Sequence, residues 1–75
     1  MNTINTVTYL DEVSDTVFYV GKAVINSLPS QERWRIIKYS TTGWVMKQEY
    51  ACKTDWEPTA EPLFKWDDRL SLNYK

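Results

Sequence analysis

A chain with one cysteine and no histidine cannot staple itself together. Cys52 has no partner for a disulfide, and a structural zinc site would lack both imidazole and a second thiolate. Whatever these 75 residues fold into must be held by a hydrophobic core or by a neighbour. At this length a domain buries only about 60% of the surface its unfolded chain exposes, so the core is thin. There is room for one domain, residues 1–75, and the expectation is a small β-rich domain that gains support by association.

The pattern along the chain is one of strands. Residues 5–10 are rich in Thr, Val and Tyr and read as a first strand or, with the residues before them, as an N-terminal arm over 1–10. Asp11, Glu12 and Asp15 then place three acids within five residues, together with Ser14, as a solvated loop does. Residues 16–23 form the clearest strand, apolar on both parities in its middle, which predicts that both of its faces are covered. Gly21 inside that run predicts a bulge or the close approach of a neighbouring aromatic ring. Residues 24–31 make a crossing loop, with Leu28 expected to tuck inward.

Residues 33–40 alternate with period two, and Gly43 before residues 44–51 completes a hairpin. Trp34, Ile36 and Lys38 fall on one face of it, and Arg33, Arg35, Ile37 and Tyr39 on the other. A helix over residues 30–39, capped by Ser30, is the competing reading. Residues 52–62 carry Pro58, Pro62 and three acids, and are read as a long loop without regular structure. One helical turn is expected within residues 63–69, and Leu70, Leu72 and Tyr74 predict a last strand with all three side chains inward. The fold class is therefore all-β, a small antiparallel barrel or sandwich of about five strands.

Composition narrows the function. Without histidine the commonest general base and metal ligand are missing, which argues against an enzyme, and no cofactor or metal site is expected. Acidic residues clustered at Asp55, Glu57, Glu61, Asp67 and Asp68 have no calcium-loop spacing or glycine turn. A formal net charge of -1 gives no broad cationic field for duplex DNA or anionic lipid. No apolar run approaches the roughly 20 residues of a membrane span, and the first residues lack a signal-peptide pattern, so a soluble chain made in the cytoplasm is expected.

Four tryptophans are the outlier in composition. Trp34 and Trp66, set among Ile and Leu, are expected in the core. Trp56, between Asp55 and Glu57 in a proline-bounded loop, is the first candidate for an interface, joined by Trp44 after the turn glycine and by Arg33 and Arg35. Asp68 and Arg69 are expected to pair and, with Trp66, to hold a structural corner. Arg33, Arg35 and Lys38 beside aromatic rings could also form a stacking platform for single-stranded nucleic acid, with little electrostatic attraction behind it. Cys52 is read as a small buried residue at a strand end.

Tyr19-Val20-Gly21-Lys22-Ala23, Trp34-Arg35-Ile36-Ile37-Lys38 and the closing Phe64-Lys65-Trp66-Asp67-Asp68-Arg69-Leu70-Ser71-Leu72-Asn73-Tyr74 resemble a group of short β-rich proteins of tailed bacteriophages. The resemblance covers residues 17–74 and departs in the middle, where residues 53–62 with Trp56 replace a shorter glycine-containing loop. It implies a structural protein of the virion, present in multiple copies or as a homo-oligomer in a symmetric assembly and bound to other virion proteins at the capsid, neck, tail or fibres. A host-protein inhibitor encoded by a phage, or a single-strand-binding β-barrel module, is the alternative.

Overall fold

The computed structural model describes residues 5–54 and 57–75. Its centre is a four-stranded antiparallel sheet in sequential order: β1 (Thr6–Glu12), β2 (Val17–Val24), β3 (Arg35–Thr42) and β4 (Val45–Tyr50). A two-stranded ribbon follows, β5 (Cys52–Thr54) with β6 (Glu57–Pro58), and then a single 3-10 turn, Trp66–Asp68. The all-β expectation holds. Residues 30–39 are not a helix, because their period-two alternation buries Trp34 and Ile36 completely when extended.

Register fixes which side chains share a face. Directly paired residues on antiparallel strands point the same way. Tyr9 pairs with Gly21 and Gly21 with Ile36, so one face carries Val7, Tyr9, Tyr19, Ala23 and Ile36, with Trp34 just beyond the end of β3. Against this face pack Phe64, Trp66, Leu72 and Tyr74, all from the last part of the chain. The backbone of Phe64 is bonded reciprocally to that of Trp34, at 2.9 and 3.1 Å. Ala51 bridges Tyr74, and Tyr50 exchanges two hydrogen bonds with Lys75, at 2.8 and 3.0 Å. The core is thus one sheet face closed by a C-terminal strap.

Aromatic rings fill that thin space. Trp34 lies 4.5 Å from Tyr9 and 5.9 Å from Trp66 between ring centroids, and Trp66 meets Tyr9 nearly edge-on at 76°. Trp66 lies directly over Gly21, where a Cβ would sit 2.3 Å from its Cε3. The glycine is therefore the seat of a ring, as the sequence predicts, and the pairing runs through it without a bulge. The Trp34 indole N–H donates to the Leu28 carbonyl at 2.9 Å, which pins the 24–34 crossing to the core.

Several expectations are corrected. Leu28 is exposed rather than inward, because its carbonyl, not its side chain, is what the core uses. Asp11 and Glu12 continue β1, and the turn is residues 13–16, closed by Val13 and Ser14 N–H groups donating to the Val17 carbonyl. Residues 52–62 hold the β5–β6 ribbon; Pro58 is tolerated because that two-residue strand is an edge, where a missing N–H costs nothing. Leu70 to Tyr74 is not a strand. Ser71 N–H and hydroxyl both donate to the Asp68 carbonyl, so the turn runs on past Arg69 and leaves Leu70 exposed.

The corner itself is built differently from the expectation. Arg69 Nε donates to Asp11 Oδ2 at 2.8 Å, across 58 residues, and not to the adjacent Asp68, which is exposed. The same guanidinium lies 4.7 Å from the centre of the Trp66 ring and donates to the Trp66 carbonyl. Adjacent residues in a tight turn point apart, so Asp68 cannot reach its neighbour's fork as Asp11 can. Cys52 is buried, as expected.

Tyr74 gives the strap a pH dependence. Its hydroxyl donates to the Arg69 carbonyl at 2.7 Å, and burial, reinforced by Tyr19 and opposed by Arg69, holds its phenol well above the ordinary value. The unfolded chain, titrating near pH 10, releases this proton first. The contribution is fully present below about pH 10 and is lost as the pH climbs from there toward the raised folded-state value. Urea midpoints measured from about pH 9 to 12 are expected to fall, and Tyr74→Phe to flatten that fall; an unchanged slope in the variant would assign it to other groups.

Candidate binding surface

The other face of the sheet lies outside the strapped core, and residues 58–62 border it only at its Tyr50 and Arg35 end. Leu10, Val20, Ile37 and Tyr50 are directly paired in turn and form an apolar row across all four strands. Beside it runs a second row, Glu12, Phe18, Tyr39 and Gln48, in which the Phe18 and Tyr39 rings stack at 4.9 Å and 13°. On the opposite side of the apolar row lie Thr8, Lys22 and Arg35. Leu10 is 60% exposed and Val24 53% exposed. The expectation that both faces of β2 are covered is thus corrected: its apolar residues on this side are only half-buried or exposed, since the strap covers one face alone.

At the Arg35 end the sheet borders a groove of about 430 Å³. Lys22, Arg33 and Arg35 line it, with Val24, Ala60 and Pro62 as its apolar parts. Lys22 and Arg35 stand directly opposite one another on β2 and β3, an arrangement that repels unless an anion lies between them. Among the described residues none of the three cations has an ion pair.

The hairpin between β3 and β4 turns on two residues, Gly43 at φ 61° and Trp44. Trp44 projects from the tip fully solvated, next to exposed Val45 and Met46. The ring is held in water on a tight turn, and the space where a Gly43 side chain would stand is open as well, so nothing in the fold covers this tip.

Of the predicted site residues, Arg33 and Arg35 meet at the groove, Trp44 stands alone at the hairpin tip, and Trp66 and Arg69 belong to the core and its corner. Lys38 is on the strapped face, opposite Tyr19 and Glu49, so it does not join the two arginines. Trp56 lies outside the described residues. Lys22 and the Phe18–Tyr39 stack were not singled out from sequence, although Phe18, Val20 and Lys22 share one parity of β2 and could have been grouped by it. Among the described residues no cluster of Cys, Asp or Glu could hold a metal, and no helix is long and apolar enough to cross a membrane. No family model, curated protein or solved structure matches this chain.

Proposed function

We propose that this chain is a non-catalytic assembly protein, a structural component of a tailed-phage particle, and that it holds neighbouring virion proteins through its open sheet face and the Trp44 tip. The observation that carries this reading is the asymmetry of the sheet: one face is closed by the chain's own strap, and the other carries the apolar row Leu10, Val20, Ile37 and Tyr50, with Leu10 exposed and the other three only half-buried. An apolar row left partly in water in this way suits a partner that covers it. The absence of histidine and a thin core without disulfide or metal support the same reading. The setting in a virion rests on the resemblance of the Tyr19–Ala23, Trp34–Lys38 and Trp66–Tyr74 segments.

Mass spectrometry of purified particles tests the setting: this chain is expected at a fixed ratio to the major structural proteins, and its absence overturns the reading. Leu10→Lys and Trp44→Ala, both at exposed positions, are expected to fold with unchanged thermal midpoints and to be depleted from particles. Incorporation of both at the wild-type level would remove the open face and the tip as contacts.

A second reading, a platform for single-stranded nucleic acid, is favoured by one observation, the Phe18 and Tyr39 rings on the same face as Lys22 and Arg35. Those rings already stack on each other, and the net charge of -1 supplies little attraction. Salt-dependent quenching of tryptophan fluorescence by oligonucleotides would support it.

A further inference from the structure

The β1–β2 hairpin carries opposite charges at its two ends. At its turn end lie Glu12, the last residue of β1, and Asp15 in the turn, both exposed, on either side of Val13, which is 53% exposed. Neither acid has an ion pair among the described residues; the third acid of the turn sequence, Asp11, is taken by Arg69. At the far end of the same hairpin, about 14 to 20 Å from Glu12 along the strands, Lys22 and Val24 open into the groove shared with Arg33, Arg35 and Pro62.

The geometry points to a head-to-tail contact between copies of this chain, in which the acidic turn of one copy seats in the cationic groove of the next. Charge and polarity agree at the two ends. Two free carboxylates with a valine between them match two cations facing across β2 and β3, a third on Arg33, and an apolar lining. The acidic end and the groove lie at opposite ends of the β1–β2 hairpin, too far apart to meet within one molecule, and a second copy brings them together. A contact between two different patches is heterologous; repeated, it closes into a ring or extends as a filament. Individual exposed ion pairs are weak, and the contact becomes strong only where local copy number is high. This inference rests on the assembly reading above and names one of its partners.

Sedimentation velocity on the full chain tests it. The average mass is expected to rise with concentration past that of a dimer, and association to weaken about tenfold or more between about 0.05 M and 0.5 M salt. A turn variant, Glu12→Gln with Asp15→Asn, and a groove variant, Lys22→Gln with Arg33→Gln, are each expected to stay monomeric with unchanged thermal midpoints. Mixed together, the two are expected to form a one-to-one pair that grows no further, because one intact turn then meets one intact groove. A wild-type chain that stays monomeric up to about 1 mM, or that stops at a dimer, overturns the inference, as does a mixture that stays monomeric. If the wild type is monomeric while Leu10→Lys still loses particle incorporation, the copy-to-copy contact is removed and the assembly reading stands.

Discussion

Gly21→Ala is expected to destabilise the domain by about 3 kcal/mol or more, at the upper end of what one added methyl costs in a packed core. In a strand this substitution would ordinarily stabilise, since alanine loses less backbone entropy than glycine. Here the new Cβ would lie 2.3 and 2.5 Å from two ring carbons of Trp66, and 3.1 Å from Trp34 Cε3. Trp66 cannot withdraw, because Tyr9, Trp34 and the Arg69 guanidinium hold it on its other sides. For a chain of this size the whole stability is about 4–11 kcal/mol, so the variant should show a much lower urea midpoint or no cooperative transition. Replacing the ring as well, Gly21→Ala with Trp66→Leu, is expected to cost less than the sum of the two single changes. A midpoint for Gly21→Ala equal to the wild type would mean that the ring is not seated on this glycine.

Trp34→Ala removes a fully buried ring, and the loss is expected to be about 3–5 kcal/mol. It also deletes the hydrogen bond to the Leu28 carbonyl that ties residues 24–34 down. Trp34→Phe separates the two contributions: it keeps much of the apolar volume, loses the indole N–H, and leaves that carbonyl to find water, at about 1–2 kcal/mol. In the wild type the Trp34 indole N–H should be protected from exchange, whereas that of Trp44 should exchange at once. Trp44→Ala, at a ring that touches nothing, should leave the urea midpoint unchanged. Rapid exchange at Trp34 would contradict its burial.

These two positions mark what could be read in advance. Gly21 stood out because glycine in the middle of a β-branched and aromatic run requires something large beside it, and the ring is there. Trp34 and Ile36 were legible because period two assigns a face, and burial follows the face. Leu28 and Leu70 were misplaced for the converse reason. Outside regular strands no period exists, and a leucine's direction depends on how the turn around it closes. Arg69 could not be assigned to Asp11 from sequence, since a contact across 58 residues becomes visible only once the strap lies over β1. In the binding surface, Arg33 and Arg35 were legible as a pair, but Lys22 was hidden in an apolar run and Lys38 was carried to the other face by its own parity.

The strap has a kinetic consequence. β1 to β4 are joined by consecutive hairpins and a short crossing, so their contacts form between neighbours in the chain. Phe64, Trp66 and Tyr74 reach back to Trp34, Gly21 and Tyr19, contacts whose loop-closure entropy must be met before they return anything. The meander is therefore expected to form first and the strap to dock last. Loosening the strap, as by Tyr74→Phe, is then expected to leave the folding rate nearly unchanged in stopped-flow measurements and to shorten the lifetime of the folded state.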